Sequence, residues 1–285
     1  MTRNAIIMAA GMSSRFAPLS LETPKALLNV KDEIMIERQI GQLREAGIDE
    51  IVIVVGYLKE KFEYLKEKYH VILVENPYYK QMNNFSTLYV AREYLKNTWI
   101  CSADNYFTEN VFMEESENAF YASEYADGPT GEWCIKTDNT GKITGVQIGG
   151  ENAWVMKGHV FFNEKFSTQL IPYLEKAYQN EELWDEYWEN LYMAHMDEME
   201  MYIRKYDAGI IEEFDSIDEL REFDVRYKEC TGSKVLREIS EKLNCPEGKM
   251  TQMKPVKSNG EVIGFEFFCD GKKYEYSYTL GLKTR

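Results

Sequence analysis

Two cationic side chains flank a turn near the start of the chain, in the stretch MAAGMSSRFAPLSLETPKAL. The turn offers several consecutive backbone N–H groups after a strand, an arrangement that can bind an anion. Arg15 lies in the turn, and Lys25 follows after a loop that can fold back. A triphosphate that leaves water to bind a protein needs cations and backbone N–H groups that replace its hydration. The alternative interpretation of this stretch is a surface turn with unrelated charges. The candidate nucleotide-binding residues here are Ala9, Ala10, Gly11, Met12, Ser13, Ser14, Arg15 and Lys25.

Two carboxylates, Asp104 and Asp215, follow predicted strands and could hold a metal ion. Asp104 lies in SADNY at the end of a strand, and Asp215 lies in EEFDSID between a short strand and a helix. Mg²⁺ prefers oxygen ligands and commonly joins carboxylates to phosphate oxygens. The sequence therefore predicts both aspartates as Mg²⁺ ligands. Two structural alternatives stay open, a turn-forming role for Asp104 and a helix N-cap role for Asp215.

Aromatic and acidic residues are concentrated in the segments GEWCIK and ELWDEYWENLY. Aromatic faces with nearby carboxylates bind a quaternary ammonium group by cation–π attraction, worth ~0.5–2 kcal/mol per ring. A core role is the alternative, because Trp184 and Trp188 are four residues apart and would share one face of a helix. The candidate ammonium-binding residues are Glu132, Trp133, Trp184, Asp185 and Tyr187.

Buried strands that alternate with helices must position these groups in the first part of the chain. This alternation predicts a mostly parallel, Rossmann-like α/β sheet flanked by helices, with ligands at the carboxyl ends of the strands. The predicted strands are 5–9, 48–57, 71–76 and 97–106, and the predicted helices are 34–46, 58–69 and 85–95.

The rest of the chain changes character after residue 119. Turn signals between short apolar pieces over 119–163 predict a small antiparallel region laid over the site, and helical patterns return at 166–197. The segment 202–224 predicts a strand, a short strand and a helix capped by Asp215 or Ser216. We predict a domain boundary between 229 and 230, so that 1–229 form one domain and 230–285 a short α+β extension. That extension contains a helix at 233–244 and a hairpin with a DG turn within 250–280.

The composition excludes several classes of partner. Among 285 residues, 48 are acidic and 33 are basic, so the net charge is -15. This balance argues against nucleic acid or an anionic membrane as a partner, and an anionic substrate would need a local cationic pocket. The apolar N-terminal stretch AIIMAAGM is too short to span a bilayer and lacks a signal-peptide layout. Five widely spaced cysteines without a CxxC pair predict neither a disulfide framework nor a zinc site, and a reduced cytoplasmic location is expected.

Gly11, Arg15, Pro24 and Lys25 resemble the signature of the sugar-nucleotidyltransferase superfamily, whereas GxxxxGK[ST] and GxGxxG phosphate loops do not occur. The resemblance implies the nucleotidyltransferase fold, with the arginine and lysine on the nucleotide's phosphates and Asp104 and Asp215 on Mg²⁺. The reaction it implies is in-line attack of a substrate phosphate on the α-phosphorus, with Arg15, Lys25, Asp104 and Asp215 as the catalytic residues. Ser13 departs from the family, which often has glycine there. If the position requires a positive φ, serine destabilises it by roughly 1 kcal/mol.

The stretches TPKAL, GYLKEKFEYLKEKY, NNFSTLY, ADNY and DEYWEN, in this order, resemble the bacterial choline-phosphate cytidylyltransferases over about residues 4–228. This resemblance implies CTP and phosphocholine as substrates and CDP-choline and pyrophosphate as products. It places Trp133 and Tyr187 on the choline head with Asp185 close by, and it assigns base or ribose contacts to Asn84 and Ser86.

Other readings of the same residues stay open. The acceptor could be phosphoethanolamine, 2-aminoethylphosphonate or a sugar 1-phosphate, and the chain could be a non-catalytic protein that binds choline or CDP-choline. Retention of Arg15, Lys25, Asp104 and Asp215 together favours an enzyme, because a binding module would not need the metal pair. The sequence is compatible with an oligomer.

Residues 231–285 resemble the opening of a choline kinase N-lobe, in the run VLREISEKLNCPEGKMTQMKPVKSNGEVIGFEFFCDGKKYEYSY. These residues contain no catalytic loop, so they cannot transfer phosphate by themselves. We interpret the extension as a remnant of a fused kinase or as a docking or dimerisation element. On that interpretation its deletion should leave the activity nearly intact.

Overall fold

A computed structural model describes residues 3–113 and 116–284. The described residues form two compact units, one from 1–11 and 36–212 (unit 1) and the other from 12–35 and 213–285 (unit 2). The strands are β1 Arg3–Ala9, β2 Asn29–Val30, β3 Glu33–Ile34, β4 Glu50–Val55, β5 Ile72–Glu75, β6 Asn97–Ser102, β7 Asn105–Phe107, β8 Phe120–Thr137, β9 Ile143–Phe162, β10 Tyr202–Tyr206, β11 Ile211–Glu213, β12 Met250–Ser258, β13 Glu261–Cys269, β14 Lys272–Ser277 and β15 Gly281–Thr284. The helices are α1 Leu19–Glu22, α2 Met35–Glu45, α3 Tyr64–Tyr69, α4 Phe85–Val90, α5 Glu164–Gln179, α6 Trp188–Met193, α7 Ile217–Phe223, α8 Arg226–Glu229 and α9 Lys234–Leu243.

A seven-stranded sheet with the order β10-β8-β9-β6-β1-β4-β5 forms the centre of unit 1. Strands β6, β1, β4 and β5 are parallel, whereas β9 is antiparallel to both β6 and β8. Continuous apolar runs such as Ala5–Ile7 are fully buried, as expected for parallel strands covered on both faces. The predicted mostly parallel α/β fold with an antiparallel region is confirmed.

The antiparallel region differs in form from the prediction. Short strands laid over the site were expected, but β8 and β9 contain 18 and 20 residues and continue the central sheet. The residues that were expected to form turns lie within the strands, where the pairing of β8 with β9 shifts register between Ala126 and Pro129 and between Thr130 and Trp133. Because β-bulges let a strand bend without ending, glycine and proline marked bends in these strands and not their ends.

The segment 58–69 was predicted as one helix, and the structure divides it into two short helices. A 3₁₀ helix at Lys59–Phe62 precedes α3, and Leu58 before it adopts a left-handed backbone with φ 51°. Phe62 and Leu65 are both fully buried. They are three residues apart and share a face in either kind of helix, so the apolar pattern did not distinguish the two forms.

In unit 2, the C-terminal residues form helix α9 and a four-stranded antiparallel sheet with the order β12-β13-β14-β15. The predicted helix is confirmed, and the predicted hairpin is part of this larger sheet. Asp270 and Gly271 both have positive φ, 47° and 75°, as a two-residue turn between β13 and β14 requires. The units do not divide between 229 and 230, because 230–285 lie in unit 2 with 12–35 and 213–229. The domain boundary stays a prediction.

Cys245 and Cys269 are joined by a disulfide between the end of α9 and the end of β13. The sequence indicated no disulfide framework, and this single pair, with a separation of 24 residues, carried no sequence signal. Among the described residues, no helix combines the length and the apolar character needed to cross a bilayer. The cytoplasmic location stays a prediction.

Candidate active site

Asp104 lies half-buried in the turn between β6 and β7. The side-chain amide of Gln39 on α2 donates to the carbonyl oxygens on both sides of the turn, at 2.9 Å to Ser102 and 2.7 Å to Asn105. Gly158 on β9 packs against the turn so closely that a Cβ there would lie 2.5 Å from Ser102 Oγ. The turn is therefore fixed from two sides, and neither Gln39 nor Gly158 was identified from the sequence.

The predicted anion-binding turn starts at the neighbouring strand end. The backbone N–H of Ala103 donates to Met8 O at 3.3 Å, so the ends of β1 and β6 lie side by side. The carbonyl of Ala10 accepts from the N–H of Tyr57 at 3.1 Å. A Cβ on Gly56 would come within 2.8 Å of that carbonyl oxygen, which explains a glycine there. Ala9 is thus the last residue of β1, and Ala10 and Asp104 follow β1 and β6 at the same edge of the sheet, as predicted.

Ser13 continues this turn in unit 2 with φ 46° and ψ 46°, the left-handed region. The position where the family resemblance implies a glycine therefore adopts a positive φ. A 3₁₀ helix at Ser14–Phe16 follows, and Arg15 Nη1 lies 2.5 Å from Asp215 Oδ2. The two side chains are 70% and 41% exposed, so water screens their attraction and the ion pair contributes little stability.

Lys25 is buried, with 5% of its surface exposed. Its Nζ lies 4.8 Å from the centre of the Phe16 ring, a cation–π geometry. Phe16 is the residue after Arg15, so the loop folds back and brings Lys25 beside the Arg15 helix. The prediction that this loop folds back is confirmed.

Asp215 precedes helix α7 but does not cap it. Ser216 is the N-cap, and its Oγ accepts from the N–H of Glu219 at 3.2 Å. Glu219 in turn accepts from the backbone N–H of Asp215 at 2.6 Å, which completes a capping box shifted by one residue. The Asp215 carboxylate is therefore available for ionic contacts such as that with Arg15. Of the two predicted capping residues, Ser216 is the correct one.

In unit 1, the structure brings together the two aromatic segments that the sequence singled out. The rings of Trp133 on β8 and Tyr187 lie edge to face, with centroids 5.8 Å apart and an interplanar angle of 80°. Tyr187 is 44% exposed, so its ring can contact a ligand. Asp185 and Glu132 are exposed, while the indole N–H of Trp184 donates to Tyr178 O at 3.2 Å. Choline contacts by all five of these residues stay predictions.

Asn83 and Asn84 hold the aromatic segment in place. Asn83 Nδ2 donates to Asp185 O at 2.9 Å, and Asn84 Oδ1 accepts from the N–H of Trp188 at 2.8 Å. Asn84 Nδ2 also donates to Glu189 Oε2 at 3.2 Å. The side chain of Asn84, predicted to contact the nucleotide, therefore stabilises the start of α6, and its nucleotide contact stays a prediction.

Ser86 is fully buried at the start of α4. Its hydroxyl donates to Asn83 O at 2.8 Å and accepts from Asn76 Nδ2 at 2.9 Å. Serine near a helix start commonly bonds to nearby backbone groups, and this local preference was overlooked in the prediction. The structure favours a positioning role for Ser86, and its predicted base or ribose contact is untested.

Glu189 is a buried carboxylate on α6, two residues from Tyr187. It accepts hydrogen bonds from Asn84 and from the Tyr121 hydroxyl, the latter at 3.1 Å. Loss of water on burial outweighs these hydrogen bonds and raises the pKa of Glu189 to about 6. The sequence places Glu189 among the carboxylates of the aromatic segment but did not predict its burial, because nothing in ELWDEYWENLY distinguishes a buried glutamate from an exposed one.

Glu189→Gln should weaken the pH dependence of stability. Because its folded pKa is raised from 4.5 to about 6, the protonated form stabilises the fold fully below about pH 4.5, and this contribution is lost as the pH rises through about 6. The free energy of unfolding, measured in urea at pH 4.5 and at pH 7, should differ between the two pH values by about 2 kcal/mol less in the variant than in the unmodified protein. Glu181→Gln, at an exposed position, is the matched control. Equal pH dependence in Glu189→Gln and the unmodified protein would contradict this expectation.

Comparisons with known proteins identify the family of this chain. The MobA-like NTP transferase domain family matches residues 5–183. The chain is 36% identical to the choline-phosphate cytidylyltransferase of Streptococcus pneumoniae over 220 residues, which are 77% of this chain and 96% of that protein. It is 38% identical to the 2-aminoethylphosphonate cytidylyltransferase of Lancefieldella rimae over 228 residues, 79% of this chain and 93% of that protein.

A solved structure extends the likeness to three dimensions. The CTP:phosphocholine cytidylyltransferase from Streptococcus pneumoniae superposes with a TM-score of 0.76 at 36% identity, covering 80% of this chain and 100% of that one. The family match spans more than half of the chain, and the sequence relatives are covered almost completely. This chain therefore belongs to the MobA-like NTP transferase family and has bacterial cytidylyltransferases among its relatives.

Proposed function

We propose that this protein is a choline-phosphate cytidylyltransferase, which joins CTP and phosphocholine to give CDP-choline and pyrophosphate. The observation that carries the choice of acceptor is the contact between the rings of Trp133 and the exposed Tyr187. Both rings lie in unit 1, and the exposed carboxylate of Asp185 is two residues from Tyr187.

The chemistry of the ammonium group favours choline. A trimethylammonium group has no N–H to donate, so it is recognised by aromatic faces and by diffuse negative charge. A primary ammonium, as in phosphoethanolamine or 2-aminoethylphosphonate, would be held better by several carboxylates or carbonyls in hydrogen-bond contact. Because the relative from Lancefieldella rimae acts on 2-aminoethylphosphonate by name, that phosphonate is the second candidate acceptor.

Arg15, Lys25 and the turn from Ala9 to Ser14 would bind the phosphates of CTP. The exposed ion pair between Arg15 and Asp215 can open at little energetic cost, because both ends are in water. A triphosphate would then compete with Asp215 for the guanidinium group, which forms bidentate contacts with phosphate. Lys25 is already partly desolvated beside Phe16, which strengthens its attraction for an anion.

We propose Mg²⁺ as the cofactor, with Asp104 and Asp215 as its protein ligands. Carboxylate oxygens are suitable donors for this ion, and Asp104 lies on a turn that Gln39 and Gly158 hold in place. When bound, the ion would offset negative charge on the phosphate oxygens of CTP. Asp104 and Asp215 would supply the oxygen ligands for it.

No protein nucleophile is needed for this reaction. The ionised phosphate of phosphocholine attacks the α-phosphorus of CTP, a new P–O bond forms, and the bond to pyrophosphate breaks. Arg15 and Lys25 would stabilise the charge that develops on the oxygens. His159 is not suited to accept a proton, because burial, helped by the charge of Arg204, lowers the pKa of its fully buried ring to about 3.

A pyrophosphate-release screen tests this proposal. The four common nucleoside triphosphates are each paired with phosphocholine, phosphoethanolamine, 2-aminoethylphosphonate and glucose 1-phosphate. We expect CTP with phosphocholine to give the highest kcat/KM, at least about tenfold above 2-aminoethylphosphonate, as two cation–π contacts would provide. A higher value with 2-aminoethylphosphonate would establish the second candidate. Binding of choline without turnover of any pair would instead indicate a non-catalytic binding protein.

A further inference from the structure

The C-terminal extension, residues 230–285, belongs to the same compact unit as the loop that carries Arg15 and Lys25. A removable remnant of another enzyme would make few specific contacts with this loop. Among the described residues, three of the contacts that the extension makes with the rest of unit 2 lie near residues of the proposed nucleotide site.

The first contact joins the extension to the loop before Lys25. Glu22, three residues before Lys25, receives three hydrogen bonds from the start of α9. Ser233 Oγ donates to Glu22 Oε1 at 2.5 Å, and the backbone N–H groups of Lys234 and Val235 donate at 2.9 and 3.3 Å. These N–H groups have no partner within the helix, and a carboxylate suits the positive end of the helix dipole. The start of α9 and the Lys25 loop therefore stabilise each other.

The second contact joins the extension to α7, the helix that follows Asp215. Arg221 on α7 is almost completely buried, with 3% of its side chain exposed. Its guanidinium donates to the carbonyl oxygens of Glu247 and Met250 in the extension, at 2.7 and 2.5 Å. Asp218 is paired with Arg221 at 3.1 Å and also accepts from the backbone N–H of Gln252 at 2.7 Å. A buried guanidinium with several partners fixes the two segments relative to each other.

The third contact is direct. Strand β12 of the extension packs against the 3₁₀ helix Ser14–Phe16, which carries Arg15 and follows the left-handed Ser13. The extension therefore lies against the helix of one proposed phosphate ligand. It is also bonded to the loop of the other and to the helix that begins after Asp215.

We propose that residues 230–285 position the nucleotide-phosphate loop, with Glu22 acting on Lys25 and Arg221 acting on the start of α7. This inference rests on the proposed function, because it assumes that the loop binds the phosphates of CTP. It replaces the interpretation of the extension as a removable remnant. Small displacements of catalytic groups lower reaction rates strongly. Loss of the contacts that fix the loop should therefore weaken the binding of CTP by Arg15 and Lys25. The Trp133 and Tyr187 rings, which lie in unit 1, should keep their contact with the choline group.

The test uses the full chain and the variant Glu22→Ala. CTP binding in the presence of Mg²⁺ is measured by calorimetry, and the KM values for CTP and phosphocholine are measured separately. Glu22→Ala removes the acceptor of all three hydrogen bonds between the loop and the start of α9, so we expect the Kd and KM for CTP to rise about tenfold, or about 1.4 kcal/mol. The KM for phosphocholine should stay within about twofold of the unmodified protein. Hydrogen exchange over residues 12–35 should become faster.

Two variants serve as controls. Glu22→Gln keeps an oxygen that can accept from Ser233 and should recover part of the lost CTP affinity. Glu238→Ala removes a carboxylate from an exposed ion pair with Lys242 on the same helix and should leave CTP binding unchanged. If Glu22→Ala does not fold, Ser233→Ala removes one of the three donors together with the N-cap of α9. The two backbone donors to Glu22 remain, so the Kd for CTP should rise by a smaller factor.

Two results would overturn the inference. One is unchanged CTP affinity in folded Glu22→Ala, and the other is an equal loss for CTP and phosphocholine, which would indicate general destabilisation. Failure of the unmodified, folded protein to bind CTP would have a different meaning. It would overturn the proposed function itself, and with it the role assigned to the extension.

Discussion

Asp104→Asn should lower the rate of pyrophosphate release from CTP and phosphocholine on the order of a thousandfold at saturating substrates. Asparagine keeps the size of the side chain but removes the negative charge that would hold Mg²⁺. The turn itself should remain, because Gln39 donates to the backbone carbonyl oxygens of Ser102 and Asn105 and Gly158 packs against the same two residues. A coupled pyrophosphate assay at several Mg²⁺ concentrations measures the effect.

The control for this variant is Glu109→Gln, an exposed carboxylate five residues further along the chain. It removes the same charge outside the proposed site and should leave turnover nearly unchanged. A melting temperature close to that of the unmodified protein would show that Asp104→Asn is folded. Undiminished pyrophosphate release in Asp104→Asn would mean that the assignment of Asp104 to the metal is wrong.

Trp133→Ala should raise the KM for phosphocholine by about 10- to 30-fold, since one ring contributes up to ~2 kcal/mol to a quaternary ammonium. The edge-to-face contact with Tyr187 would also be lost, so the remaining ring would be held less firmly. The KM for CTP should stay within about twofold, because Trp133 is assigned to the acceptor alone. Steady-state kinetics with each substrate varied in turn measures both constants.

Trp154→Ala is a suitable control because it removes the same ring type from β9. The Trp154 ring packs against Tyr125 and lies beneath Lys205 Nζ, 4.6 Å away, so it already contacts a cation of the protein. Trp133→Phe keeps an aromatic face and should lose less affinity than Trp133→Ala. Equal increases in both KM values for Trp133→Ala would contradict the role of the ring pair in choline recognition.

Local sequence patterns predicted the elements that carry the site. Fully buried runs such as Ile51–Val54 alternate with amphipathic helices, and this alternation requires parallel strands whose ends meet at one edge. Asp104 at the end of β6 followed from that rule alone. The aromatic and acidic composition of two segments, together with the family resemblance, predicted that Trp133 and Tyr187 lie close together. Their edge-to-face contact confirms this proximity.

Contacts between distant residues could not be predicted in the same way. Glu22 and Ser233 are 211 residues apart, and Asn84 and Glu189 are 105 residues apart. Periodicity describes which face of an element is buried, but it does not identify the partner of a single polar side chain. The family resemblance assigned nucleotide contacts to Asn84 and Ser86, but the sequence did not reveal that their side chains also bond within the fold. Their nucleotide contacts stay predictions.

The spacing of Trp184 and Trp188 illustrates a second limit. The spacing of four residues between Trp184 and Trp188 predicted that both lie on one face of a helix. However, α6 begins at Trp188, and Trp184 lies outside it at the end of a 3₁₀ helix. Trp188 is fully buried and stacks on Tyr121, so the core interpretation holds for one of the two rings. Where a helix begins depends on caps such as the Asn84 side chain, which lies 104 residues away from the N–H of Trp188.

Ser13 has a consequence for how tightly a nucleotide can bind. Its left-handed backbone, with φ 46°, is roughly 1–2 kcal/mol less favourable for serine than for glycine. A glycine at this place would visit many more conformations before a nucleotide arrives, and binding would have to remove that conformational entropy. With serine at this position, the left-handed conformation of the turn is already fixed when the protein folds, before a nucleotide binds. A larger part of the phosphate contact energy should therefore remain as affinity for CTP.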